Sequence, residues 1–151
     1  MAKTVIISEF GNSSVMKLVD REVPEPKTGE IKIKHKACGL NYIDVYQRTG
    51  LYPLNLPTAL GMEASGVVEA VGEGIHHLKE GDRVSGEGHI TCGHCRNCRA
   101  GKKHLCPSTV GIGVNCNGAF AEYVVIPESN VWPVDSEISY EVASFFDPLG
   151  I

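Results

Sequence analysis

The chain has 151 residues, of which 42% are hydrophobic, 21% charged and 7% aromatic, and its net charge is -4. That composition excludes a disordered, collagenous or coiled-coil protein, and the small acidic balance offers nothing to draw it to nucleic acid or an anionic membrane. A chain of this size can bury roughly two thirds of its unfolded surface, so one domain with a core of its own is expected without disulfide staples. No apolar run reaches the ~20 residues of a bilayer span, and the first ten residues lack the apolar stretch of a secretory signal, so a cytoplasmic protein is expected.

Thr4 to Ser8 and Val15 to Val19 read as two strands of a hairpin, separated by the turn-forming cluster Gly11, Asn12, Ser13 and Ser14. Beyond Pro24 and Pro26, Glu30 to Lys34 alternates polar and apolar, which predicts a half-buried antiparallel strand with Ile31 and Ile33 inward. Asn41 to Thr49 reads as a short helix stopped at Gly50, with Tyr42, Ile43, Val45 and Tyr46 along it. Val67, Val68 and Val71 lie among Gly61, Gly66, Gly72 and Gly74, the pattern of a bent strand with close backbone approaches, as in a small barrel. Gly81 to Val84 turns into a further strand, and Ala119 to Ile126 resumes the β pattern before Pro127. Ser139 is a natural N-cap for one helix filled by Val142, Ala143, Phe145 and Phe146. No internal repeat or linker divides the chain, so residues 1–151 form a single, mainly β unit.

Six cysteines stand at 38, 92, 95, 98, 106 and 116. A reducing compartment makes metal or functional thiols the better reading, against free or disulfide-bonded cysteines. Cys92, Cys95, Cys98 and Cys106 are spaced C-x2-C-x2-C-x7-C, within a polar excursion of about residues 88–108. Four thiolates complete a tetrahedral zinc and leave no position for substrate, so the site is structural. Arg96, Arg99, Lys102 and Lys103 offset the negative charge of such a centre, and no acid lies between Cys92 and Cys106. An iron-sulfur cluster is the rival, but ferredoxin runs place three residues before the last cysteine. His89, His94 and His104 read as exposed polar residues or donors to the ligands.

This spacing, with Gly86-Glu87-Gly88-His89-Ile90 before it and Gly118 to Tyr123 after it, resembles the zinc-containing medium-chain dehydrogenase/reductase family, and within it the threonine dehydrogenase branch, from about Ser85 to Ile151. Upstream, Cys38 to Tyr46, Arg48 to Pro53 and Leu60 to Gly66 look like the zinc-independent quinone oxidoreductases, joined near Asp82 to Gly86. The resemblance implies a GroES-like barrel carrying a structural-zinc lobe, the catalytic-domain half of an NAD(P)-dependent oxidoreductase. The Rossmann fingerprint G-x-G-x-x-G after a strand is not found, so NAD(P) would need a nucleotide-binding domain from elsewhere, and inactivity alone is expected. For the catalytic zinc the resemblance implies Cys38, Glu63 and Asp147, with Met62 where the family keeps a histidine. A thioether replaces imidazole poorly on zinc. Leu40 and Ile43 stand where the zinc branches keep a proton-relaying hydroxyl and a histidine, which argues against zinc-assisted alcohol oxidation. Asn41, Tyr46 and Tyr52 match positions lining the substrate and cofactor cleft of the quinone oxidoreductases; otherwise they are a helix cap and two packing aromatics. A stand-alone zinc-binding interaction module is the competing function. Self-association through a surface that a cofactor domain would cover separates the two.

Overall fold

The computed structural model describes residues 1–149. Strand β1 (Ala2–Ile7) pairs antiparallel with β2 (Lys17–Arg21) through the register Ala2 to Arg21, as the hairpin pattern requires. The connecting turn tightens into a short 3-10 turn at Ser13–Val15, whose first amides are held by the Asn12 side chain. β3 (Glu30–Ala37) joins the second sheet, with Ile31 and Ile33 fully buried and Lys34 outward. Lys32 is the variation on strict alternation: its stem is largely covered while its ammonium reaches Glu25 at 2.8 Å.

Helix α1 (Tyr42–Thr49) follows, and then β4 (Thr58–Ala59), β5 (Ala64–Val71) and β6 (Arg83–Gly86). The cysteine lobe is framed by β7 (His89–Ile90) and β8 (Val110–Gly111) and contains α2 (Arg96–Arg99). β9 (Tyr123–Pro127), β10 (Val131–Pro133), α3 (Tyr140–Ala143) and α4 (Phe146–Leu149) complete the described chain. The sheet orders are β2-β1-β4, β10-β6-β5-β3-β9 and β7-β8. The first two sheets are stitched where Val5 donates to the Phe120 carbonyl at 2.8 Å and Glu122 to that of Lys3 at 2.9 Å, so the strands curl around one interior. Ile31, Ile33, Val68, Val84, Ile112, Val124, Ile126 and Val131 fill it.

The glycines of the bent strand serve close packing. A Cβ at Gly66 would stand 2.1 Å from the Lys34 carbonyl oxygen, and one at Gly72 only 1.8 Å from that of Lys27. Register shifts between Lys32 and Ile33 and between His35 and Ala37 supply the bend.

One expectation is corrected. The single terminal helix divides into α3 and α4, and it is Ala143 and Ser144 that turn inward while Phe145 and Phe146 remain substantially exposed. In α1 the inward face is polar. Asp44 and Gln47 are buried, whereas Tyr42 is 80% exposed and Val45 and Tyr46 also face outward. The reason is local: the Asp44 carboxylate turns back to accept from the Asn41 amide at 2.8 Å, forming a capping box, and Gly50 closes the helix with φ 83.

Candidate functional site

The four lobe cysteines meet. Their sulfurs lie within 4.8 Å of one another; Cys92 and Cys106 are 3.6 Å apart and Cys92 and Cys98 4.0 Å apart. Four sulfurs at ~2.3 Å from a zinc ion stand about 3.8 Å apart, so the cage has the dimensions of a zinc tetrathiolate. Its local structure follows from the spacing. Each x2 turn lets a later amide point back at an earlier sulfur: Cys95 donates to Cys92 and Cys98 to Cys95, both at 3.4 Å, and Cys92 donates to Cys106 at 3.5 Å. These donors draw the Cys106 thiol down to about 6 and lower that of Cys95, while burial pushes Cys98 up to about 11. The bases Arg96, Arg99, Lys102 and Lys103 are exposed around the cage. The donor set, its dimensions and its amide shell fit a structural zinc.

A second group of polar residues lies under α1. Asn41 Nδ2 donates to Glu63 Oε1 at 3.0 Å, and the Cys38 thiol donates to the Glu63 backbone carbonyl at 2.9 Å. Glu63 is 3% exposed and its other oxygen, Oε2, has no partner. Burial raises its carboxyl to about 7, with Asp147 and Asp44 adding repulsion. Cys38 is pushed up to about 12, by burial first and then by Asp44 and Glu63. The structure does not bring Cys38, Glu63 and Asp147 into one group with all ligand atoms within 4.8 Å. With Met62 in the place of the histidine, these residues do not fit the family's catalytic zinc.

Asp147 instead joins Glu87 and His89, and these three place their ligand atoms within 4.8 Å of one another. His89 thus belongs with two carboxylates, not with the sulfurs, while His94 sits at the lobe surface against the Cys92 carbonyl at 2.7 Å. The three line a cavity of about 590 Å³, together with Ser85, Trp132 and Phe146 from the barrel side and Thr91, Lys103, His104 and Thr109 from the lobe. The sequence signal available for this cluster was Glu87-Gly88-His89, an acid and a histidine flanking a glycine in one turn; Asp147, 58 residues after His89, carried no such hint. Tyr46 packs edge-on against Tyr52 with ring centroids 5.5 Å apart, and both stay exposed. Asn41 combines two roles, capping α1 and holding Glu63.

Residues 27–136 match the alcohol dehydrogenase GroES-like domain. The chain belongs to that family. Among relatives, this GroES-like domain is 48% identical over 132 residues to an L-threonine 3-dehydrogenase of Stenotrophomonas maltophilia, covering 85% of the chain and 39% of the relative. It is 45% identical over 137 residues to the enzyme of that name from Deinococcus deserti, covering 88% of the chain and 40% of the relative. From Ser85 to Ile151 the chain has only 67 residues, so the likeness to threonine dehydrogenases continues upstream of the join near Asp82 to Gly86. The crystal structure of an NAD-dependent alcohol dehydrogenase superposes with TM-score 0.91 at 38% identity, over 96% of the GroES-like domain and 43% of that chain. A thermostable alcohol dehydrogenase from Pyrobaculum aerophilum, solved with cobalt and zinc, superposes with TM-score 0.87 at 32% identity, over 97% and 44%. The chain therefore spans about two fifths of the length of the relatives it matches. No helix of the described residues is long and apolar enough to cross a membrane.

Proposed function

We propose that this GroES-like domain is the substrate-side half of a zinc-type, NAD(P)-dependent oxidoreductase, holding one structural zinc on Cys92, Cys95, Cys98 and Cys106. The observation that carries the reading is the convergence of four sulfurs at zinc-tetrathiolate spacing inside a domain of the alcohol dehydrogenase family. Zinc at that site cross-links the lobe, and a bound nicotinamide supplies or accepts the hydride. The reacting partner is an alcohol or a carbonyl. A secondary alcohol of the threonine kind is favoured by the relatives, which are named for that reaction and remain similar across most of the chain.

The domain's own residues bind and orient. The cavity beside β6 and the lobe offers acids, a histidine and Lys103 to a small polar substrate. Asn41 fixes one oxygen of Glu63, and the unpartnered Oε2 holds a proton near neutral pH. Because no dinucleotide fingerprint is present in the 151 residues, the nicotinamide is held by a separate domain and the chain alone is silent. Its free cysteines suit a reducing, cytoplasmic compartment. Val142, Phe145 and Leu149 lie exposed on α3, α4 and between them, as a surface for such a domain would, and they should drive self-association in its absence.

The test combines elemental analysis, turnover and sedimentation. Expected are about one zinc per chain, no NAD(P)-dependent oxidation of L-threonine, and association that rises with concentration and is suppressed by Val142→Lys. Turnover by the chain alone, or a zinc-free cage in protein purified without chelator, overturns the reading. A monodisperse, zinc-bearing chain at high concentration would favour the interaction module instead.

A further inference from the structure

We propose that Glu87, His89 and Asp147 form a second metal site, for a divalent first-row ion taken through one imidazole nitrogen and two carboxylates, on the wall of the 590 Å³ cavity. This goes beyond the oxidoreductase reading and does not depend on it. The site differs from the one the family resemblance implies, since neither Cys38 nor Glu63 is a ligand.

The geometry is built rather than incidental. Glu87 and His89 flank Gly88 in the turn from β6 to β7, and that turn is clamped by Asn130, which is 2% exposed. Asn130 Nδ2 donates to the Glu87 carbonyl at 3.1 Å, to Glu87 Oε2 at 3.3 Å and to the His89 carbonyl at 2.8 Å, while the Glu87 amide donates to the Asn130 carbonyl at 2.8 Å. Both ligand residues are thereby fixed by one buried amide, in the manner of a supporting shell around metal ligands. Asp147 arrives from α4 and is seated by the Gly88 amide, which donates to Oδ2 at 3.2 Å. The seat needs glycine: a Cβ at residue 88 would stand 3.1 Å from the Met62 carbonyl oxygen and 3.2 Å from Asp147 Oδ2.

Charge points the same way. Glu87 and Asp147 bring two carboxylates within 4.8 Å of each other and of a His89 ring nitrogen. Glu63, fully enclosed, presents one carboxylate oxygen with no partner. Against these acids stand His89 and Lys103. Three ligand atoms bound at ~2.1 Å in a tetrahedron lie about 3.4 Å apart, and His89 Nδ1 already stands 3.5 Å from Glu87 Oε1. The nitrogen and carboxylate donors suit manganese, cobalt or zinc, and the remaining coordination positions open to the cavity.

The experiment titrates Mn2+ into the 151-residue chain carrying one zinc per chain and follows free Mn2+ by electron paramagnetic resonance. Manganese is chosen because a tetrathiolate cage does not select it. One Mn2+ per chain is expected, with affinity reduced at least tenfold by His89→Ala and by Asp147→Asn and changed less than twofold by Cys38→Ala. The zinc content and melting temperature of each variant report that its fold is intact. No uptake of Mn2+ overturns the proposal, as does a Cys38→Ala variant that loses affinity as much as His89→Ala. Neither failure touches the oxidoreductase reading, which rests on the lobe.

Discussion

Removing one sulfur from the lobe is the sharpest perturbation the structure offers. The lobe has little else to hold it: among the described residues it buries Cys98 and Cys106, Leu105 is 53% exposed, and the two paired positions of β7 and β8 close its foot. Cross-linking Cys92 to Cys106 encloses 15 residues. On a chain-entropy reckoning such a closure is worth about 3 kcal/mol. Cys95→Ser, or chelation, should therefore lower the local opening free energy by about that amount and speed amide exchange roughly 150-fold. The amides to watch are Ala100, bonded to Arg96 and Asn97, and Cys106, bonded to Lys103. Val68, bonded to Asp82, and Gly72, bonded to Glu30, report on the barrel and should keep their protection. Hydrogen exchange by mass spectrometry reads both at once. Unchanged lobe amides, or equal acceleration in lobe and barrel, would refute the reasoning, the first because the metal does not brace the lobe and the second because the lobe is not an independent unit.

Two further outcomes are expected. His35 donates from Nδ1 to the Ala121 carbonyl and has a buried, unpartnered Nε2; burial lowers its pKa from 6.5, outweighing the hydrogen bond. The unfolded chain then binds a proton that the folded chain refuses, so stability is intact above pH 6.5 and falls by up to about 1.4 kcal/mol per pH unit as the pH drops below it. Denaturation midpoints at pH 7.5 and 5.5 should differ less in His35→Gln than in the parent; equal differences would discount the histidine. Gly66→Ala should cost about 3 kcal/mol or more by forcing β5 from the Lys34 carbonyl, lowering Tm by at least about 6 °C in a thermal melt. A variant melting within a degree or two of the parent would show that the strands part easily.

Much of this was legible in the residues because the determining interactions are local. The C-x2-C-x2-C-x7-C run places its sulfurs by turn geometry, Ile31 and Ile33 alternate against solvent, and Asn41 and Gly50 bracket α1 with their own conformational preferences. What the pattern hid depends on partners far away in the chain. The mixed spacing of Tyr42, Ile43, Val45 and Tyr46 left the inward face of α1 open, and it is Asp44 and Gln47 that turn inward, with Asp44 fixed by the cap. The exposure of Phe145 and Phe146 has a tertiary cause: the Ser85 hydroxyl donates to the Ala143 carbonyl at 2.8 Å, seating small residues against the barrel and leaving the rings outside. The meeting of Glu87 and His89 with Asp147 is tertiary, and no periodicity encodes it. β4, β7 and β8, of two residues each, are too short to leave a pattern.

The cavity has two unequal walls. On one side stand Ser85 and Gly86, set in a strand whose neighbours fill the core, so a change there disturbs the whole barrel. On the other stand Thr91, Lys103, His104 and Thr109, carried by a peninsula whose shape is kept by four sulfurs. The side chains of that peninsula are free to vary as long as the cysteines stay, because almost nothing packs behind them. The lining of one bank can therefore be rewritten without renegotiating the stability of the other.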